Sequence, residues 1–483
     1  MANVKQSGQF FTPSYLVCDI LNTAGYVENN IRKKHVIDNS CGDGAFITVI
    51  VQRYILDFLK DSNDANLLKS ELETYIHGIE LDSVAYKQCI ENLNELISES
   101  NLSDIKWDIH NADTLTINQF NGKMDFVVGN PPYVRVHNLE NYELVKQFKF
   151  AEGGMTDLYL VFFEIGFNML KESGKLCYIT PSSWINSVAG TALRKYILQH
   201  HNLVRLIDLE HYQAFEATTY TMISLFQKGI KHKTFTYCTY QPHCILAKEN
   251  LSIEETFIDG SIYLTSKEKL NELRLIFTNH QKYVQVKNGF ATLADNVFIA
   301  DEFPFKQHVI PVIKASTGKW CKAFFPYDKN GKPLTKEEIF SNAKISKYLE
   351  KNTCSLLKGK TKEQKPEWYL FGRTQALKDV YQNKYSINTI ISNLNSIKFN
   401  KVPSGYGIYS GLYILTEVKE NILQRFIISN EFIEYVSILK KYKSGGYYTF
   451  SSKDLEKYLN YKISNFYNNH HAINQPNLFT SNF

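Results

Sequence analysis

Seven short apolar runs, most of them separated by amphipathic segments long enough for helices, lie between residues 34 and 227. The first sits in KHVIDNSCGDGAFIT at residues 34–48. It reads as a strand, a glycine turn and the start of a helix that continues through Val49, Ile50, Tyr54, Ile55, Phe58 and Leu59. Further buried-strand candidates are Tyr75–Leu81, Ile105–Asn111, Met124–Gly129, Lys175–Thr180, Leu203–Leu209 and Thr219–Gln227, with helix candidates at Ser83–Ile97 and Asp157–Leu170. Strands alternating with helices predict an α/β fold built on a doubly wound, mostly parallel sheet. After about residue 230 the alternation fades into Lys, Asn and aromatic residues mixed with turns such as Asn330-Gly331 and Ser444-Gly445-Gly446. The chain is therefore expected to divide into 1–230 and 231–483.

A length of 483 residues suits two domains. Their charges differ: residues 1–230 carry 19 Lys+Arg against 27 Asp+Glu, and residues 231–483 carry 35 against 22. The basic half is the one suited to a polyanion, because cationic side chains release phosphate counterions. A soluble lysine-rich surface is the plainer reading of the same excess. The eight cysteines are scattered without Cys-x-x-Cys spacing, so neither a metal site nor a disulfide framework is expected. No apolar run approaches the roughly 20 residues that span a bilayer, and Met1–Gln9 lacks a basic-then-apolar leader. The expectation is a cytoplasmic protein without a membrane partner.

Ligands of a parallel sheet gather at the carboxyl ends of its strands. After the first strand come Asp38, Ser40, Gly42 and Gly44; the glycines permit a tight turn and close backbone approach, and Asp38 can accept hydrogen bonds from a cationic amine. Glu80 closes the second strand, where a carboxylate can accept from both hydroxyls of a ribose. It lies about 40 residues beyond the turn rather than ~20, because of a polar insertion around Lys60–Glu73. Asp113 follows the third strand and suits either an adenine amine or a helix cap. No phosphate-binding lysine trails the glycines. S-adenosyl-L-methionine fits this pattern, having a ribose and an adenine but no phosphate to cradle.

Directly after the strand MDFVVG stand Asn130, Pro131, Pro132 and Tyr133. An aromatic amine is a poor nucleophile because its lone pair is delocalised into the ring. Two oxygen acceptors that take both N–H bonds in tetrahedral geometry draw that lone pair out of conjugation. The Asn130 side chain and the Pro131 carbonyl could supply them, with the prolines fixing their direction. Tyr133 offers a ring face for a planar base taken from a duplex; alternatively it is a turn residue packed on the sheet edge.

These residues, in this order, resemble the gamma-class N6-adenine DNA methyltransferases of bacterial restriction-modification systems. The likeness runs from Gln9-Phe10-Phe11-Thr12-Pro13 to about Gly229. It implies a seven-stranded methyltransferase sheet, followed by a separate C-terminal mixed α/β domain that recognises the DNA target. It implies S-adenosyl-L-methionine as cofactor, held by Phe11, Thr12, Pro13, Asp38, Ser40, Gly42, Gly44, Phe46, Glu80, Leu81, Asp113, Thr114, Asn130 and Asp157. Asp157 is also readable as a helix N-cap. Asn130, Pro131, Pro132 and Tyr133 would hold a flipped adenine, with Phe215 on its other face and Tyr220 as rival for that role. In the C-terminal half, Lys287–Phe290, Val297–Ile299, Phe371–Gln375 and Gly445–Tyr448 resemble fragments of recognition domains. Arg373 and Gln375 could make bidentate contacts to bases; a loop arginine also serves phosphates or solvent. Implied partners are double-stranded DNA and a cognate restriction endonuclease acting on the same site; a monomer is expected, since an asymmetric flipped base needs no twofold partner.

Rival readings are an RNA or protein-glutamine N-methyltransferase, since an amide nitrogen poses the same lone-pair problem, and a DNA-recognition subunit without activity of its own.

Overall fold

In the computed structural model the described residues are 12–98, 102–136, 142–152, 156–215, 219–242, 244–358 and 360–473. The chain forms two compact units, residues 1–271 and 272–483.

The first unit is built on β1 (Val36–Asp38), β2 (Ile76–Glu80), β3 (Asp108–Asn111), β4 (Met124–Gly129), β5 (Leu170–Pro181), β6 (Leu203–Asp208), β7 (Thr221–Gln227), β8 (Thr234–Gln241) and β9 (Cys244–Ser252). They form one sheet in the order β3-β2-β1-β4-β5-β7-β6-β8-β9. The strands β3, β2, β1, β4 and β5 pair parallel, whereas β7 lies antiparallel between β5 and β6. Nine strands replace the expected seven, because β8 pairs parallel with β6 and β9 adds a final antiparallel edge. The polar stretch Lys248-Glu249-Asn250 belongs to that largely exposed edge strand, so no continuous apolar run marks it. For the same reason the division between units falls at 271, not 230.

Alternation along the central strands sends side chains to two faces. Val36, Phe126 and Val128 share a core with α1 (Ser14–Ala24), α2 (Ala45–Phe58) and the later helix Ser83–Ser98. Ile37, Ile79 and Val127 share the other core with helix residues Leu160, Phe163 and Leu193. Helices thus cover both faces, as a doubly wound sheet requires. The polar insertion is α3 (Ala65–Tyr75), N-capped by the Asp64 carboxylate. Its buried Glu71 pairs with Arg32 at 2.9 Å, so the added length is a packed helix that leaves the order of strand ends unchanged.

The second unit holds mostly antiparallel sheets, among them a four-stranded one in the order Val284–Asn288, Leu412–Thr416, Lys384–Ile387, Phe399–Val402. Its core gathers Phe290, Val297, Phe298, Phe324 and Phe371. Moving the boundary to 271 keeps its cationic excess, with 30 Lys+Arg against 17 Asp+Glu over residues 272–483. Among the described residues no helix is long and apolar enough to cross a membrane.

Candidate active site

Because β2, β1 and β4 are neighbours and run parallel, Glu80, Asp38 and Gly129 end at one edge of the sheet. Asp38 is 1% exposed, and its Oδ1 accepts the Ser40 N–H at 3.0 Å. Burial pushes its carboxyl up to about 7; the Ser40 N–H opposes the rise and the Glu80 charge adds to it. An ideal Cβ on Gly129 would stand 2.6 Å from that Oδ1, and Gly129 has φ +150°. The last residue of β4 is therefore glycine because the carboxylate of β1 occupies its side-chain space.

The glycine turn is tied to the next strand end. Gly42 N–H donates to Glu80 Oε2 and Asp82 N–H to Glu80 Oε1, each at 2.8 Å. Burial raises the Glu80 carboxyl while these two N–H groups lower it. Gly42 and Gly44 both have positive φ, and a Cβ on Gly44 would meet Cys89 Sγ at 2.8 Å. Only a residue without a side chain lets the turn rest on the helix that carries Cys89. The Ser40 side chain is half-buried beside the turn, and Phe46 is buried in the core.

Asn39, singled out by no sequence argument, braces the same edge. It is fully buried; Tyr178 donates to its Oδ1 at 2.9 Å, and the Thr114 hydroxyl donates to its carbonyl at 2.7 Å. A polar residue between Asp38 and Ser40 was its only sequence signal. Asp113 caps the turn Thr114–Thr116, accepting the Leu115 N–H at 3.0 Å. Leu81 is 68% exposed just beyond Glu80. Asp157 occupies the residue before the helix Leu158–Met169 without capping it; its backbone bridges Arg135. Burial raises its carboxyl and the Arg135 charge opposes the rise.

At the end of β4, Asn130 Nδ2 donates to the buried Thr12 Oγ1 at 3.1 Å. This fixes the rotation of the amide and hence the direction of its oxygen. Pro13 precedes α1, whose first N–H groups bond its carbonyl; Phe11 lies outside the described residues. Pro131 is buried and Pro132 half-buried. The Tyr133 hydroxyl donates to the Ile179 carbonyl at 3.2 Å, and its ring meets Phe215 edge-on with centroids 6.3 Å apart. Tyr220 packs edge-on against His211. The structure thus sets Thr12 against Asn130 and Asp38 against Gly129, and separately Phe215 against Tyr133.

In the second unit Arg373 is exposed, while the Gln375 amide donates to the Gly289 carbonyl. The glutamine is tied to the chain's own backbone; the arginine faces solvent.

Residues 50–215 match the family described as Eco57I restriction-modification methylase. The Type II methyltransferase M.BstVI of Geobacillus stearothermophilus is 26% identical over 62% of this chain and 60% of its own length. The restriction enzyme and methyltransferase RM.Eco57I of Escherichia coli is 24% identical over 79% of this chain and 49% of its own. The chain thus spans about half the length of these first relatives. M.AccI of Acinetobacter calcoaceticus, a Type II methyltransferase, is 21% identical over 94% of this chain and 85% of its own length. Among solved structures, the Type IIL restriction-modification enzyme MmeI in complex with DNA aligns over 96% of this chain and 68% of its own, with a TM-score of 0.64 at 12% identity, a likeness of fold. The match to the Eco57I restriction-modification methylase family thus covers residues 50–215, and the relatives that extend beyond it are Type II restriction-modification methyltransferases.

Proposed function

We propose that the chain is an S-adenosyl-L-methionine-dependent DNA methyltransferase that modifies the exocyclic N6 amine of an adenine flipped from duplex DNA. Its role in the cell is protection of DNA within a restriction-modification system. The observation that carries this reading is the contact between Asp38 and Gly129. It joins the end of the cofactor strand to the residue before Asn130, so a cofactor and an acceptor amine share one wall.

The donor set suits the cofactor. Asp38 and Glu80 are buried carboxylates raised by burial, and Glu80 raises Asp38 further. A cationic ligand restores the charged form of Asp38 by pairing with it. Glu80 ends β2, where a carboxylate can accept from ribose hydroxyls. The exposed Leu81 supplies an apolar face for the adenine moiety. When bound, the cofactor supplies an electrophilic methyl group.

The chain's own residues prepare the acceptor. Asn130, its amide oriented by Thr12, and the Pro131 carbonyl accept the two N–H bonds of the target amine and localise its lone pair. The Tyr133 ring gives the base a stacking face in exchange for its lost neighbours; Phe215 lies perpendicular to that ring and in edge contact with it, an arrangement that does not sandwich a base between the two. No strong base is needed, because the amine proton is acidified once the new N–C bond has formed. Residues 272–483, with their cationic excess, hold the duplex.

The direct test is incubation of purified protein with methyl-labelled S-adenosyl-L-methionine and, separately, plasmid DNA, total RNA and a glutamine-containing protein acceptor. Label in DNA is expected. Label confined to RNA or protein favours those acceptors, and binding of DNA without transfer to any acceptor favours a recognition subunit.

A further inference from the structure

Four loops of the second unit meet around one cavity of about 690 Å³. Two follow the parallel-paired strands Val309–Lys314 and Gly407–Tyr409, which deliver Ser316 and Ser410 side by side with their hydroxyls 3.0 Å apart. Ser410 keeps φ at +56°, a backbone that a residue with a side chain rarely adopts and that persists where its surroundings impose it. The third is the segment 388–398. The fourth is the turn of left-handed Gly445 and Gly446, which leads into Tyr447, 38% exposed, and the strand paired with Ile390–Ile391.

The third loop is braced from within. Asn388 is 3% exposed; its amide donates to the carbonyls of Ile390 at 2.7 Å and Ser396 at 2.9 Å, and its oxygen accepts the Lys398 N–H at 2.8 Å. The Ser396 hydroxyl accepts the N–H groups of Ser392 and Asn393, and the Asn393 side-chain oxygen accepts the Ser396 N–H. This bonding fixes the backbone and leaves Asn395 exposed upon it. Lys398 Nζ donates to the Asn395 carbonyl at 3.2 Å, and among the described residues the Asn395 side-chain amide has no partner in the chain. The polar groups lining the cavity are amides, hydroxyls and the Lys398 cation, with no carboxylate.

A phosphate takes donors alone, whereas amides and hydroxyls that both donate and accept match the mixed edge of a base pair. An asparagine amide pairs by two bonds with N6 and N7 of adenine in the major groove. Such a contact discriminates only when its backbone is held in place, which the Asn388 and Ser396 bonds do here. Lys398 and the cationic excess of residues 272–483 suit the phosphates that flank a base pair. Gln375, its amide spent on the Gly289 carbonyl, lacks this freedom. We propose that this cavity reads an A·T pair of the recognition sequence through the major groove, with Asn395 contacting the adenine edge and Lys398 an adjoining phosphate. This rests on the reading of the chain as a DNA methyltransferase and places its choice of sequence.

The test uses the full chain. The sequence around each adenine that the wild-type protein methylates is first mapped on plasmid DNA, and kcat/KM is then measured on duplexes carrying that sequence and each single-pair change. Asn395→Ala should lose preference by about tenfold or more at one A·T pair other than the methylated one, keep its preference elsewhere and melt as wild type does. Replacing that adenine by 7-deazaadenine, which lacks the N7 acceptor, should slow the wild-type protein and leave Asn395→Ala unaffected. Lys398→Ala should keep every preference and reduce the slope of log affinity against log salt by about one. Full preference at every position in Asn395→Ala, or an even loss across all sequences, would overturn base reading by this cavity while leaving the methyltransferase reading intact. Loss of activity with a lowered Tm in Asn395→Ala would also overturn it, assigning the residue to the folding of its loop. Absence of DNA methylation by the wild-type chain would remove both readings together.

Discussion

Gly129 and Asp38 share one volume: the position of a Cβ on Gly129 lies 2.6 Å from the Asp38 carboxylate oxygen. Substituting Gly129→Ala must displace the carboxylate or distort the end of β4. The substitution should destabilise the protein by about 1–3 kcal/mol and weaken S-adenosyl-L-methionine binding at least tenfold. Thermal unfolding and equilibrium dialysis check this; unchanged affinity would separate Asp38 from the cofactor.

Asp38 also sets a pH dependence. Its folded carboxyl is raised from 3.8 to about 7, so between those values the folded state binds a proton that the unfolded state has lost. Its contribution to stability is full below 3.8, declines as pH rises through that window, and levels off above about 7. Affinity for a cationic ligand runs the other way and should strengthen as pH rises from 6 to 8. Asp38→Asn should flatten the affinity profile and weaken binding by about 10–100-fold, the loss of a charge-assisted hydrogen bond. Isothermal titration at several pH values measures both.

Asn130→Ala removes one acceptor of the target amine and leaves the Asp38 and Glu80 carboxylates in place. It should lower kcat by about 100-fold or more, with cofactor affinity within a few-fold of wild type. Single-turnover kinetics on plasmid DNA resolve the two; substantial residual methylation would take Asn130 out of its assigned role.

Arg373, exposed on the second unit, separates two modes of DNA contact. As a phosphate contact, Arg373→Ala should weaken binding evenly across sequences and reduce the slope of log affinity against log salt by about one. As a base contact it should relax the methylated sequence at one position. Affinity and site preference both unchanged would exclude it from the interface.

The sequence was legible where physical patterns are local. Six of the seven apolar runs lie within two or three residues of their strands, and the Asn130–Tyr133 segment follows β4 as expected. Strand β5, which begins at Leu170 rather than Lys175, extends through polar residues that periodicity cannot read. The hairpin β8–β9 was hidden because an edge strand needs only one buried face, and the Lys248-Glu249-Asn250 stretch needs none.

Side-chain roles were less legible because one residue type serves two purposes. Asp113 and Asp157 read alike as caps or ligands, yet Asp113 caps its turn and Asp157 does not cap its helix. The separation of Glu80 from the glycine turn, about 40 residues rather than ~20, is taken up by α3 as the polar insertion suggested, and Gly42 reaches Glu80 at 2.8 Å. Gly129 gave no signal, since its reason is a carboxylate on another strand.

The central claim is that the acceptor is an adenine amine. Plasmid DNA methylated by the protein with labelled S-adenosyl-L-methionine, digested to nucleosides and resolved by chromatography with mass detection, tests it most directly. The account predicts label in N6-methyl-2′-deoxyadenosine; label in a methylated deoxycytidine instead would contradict it.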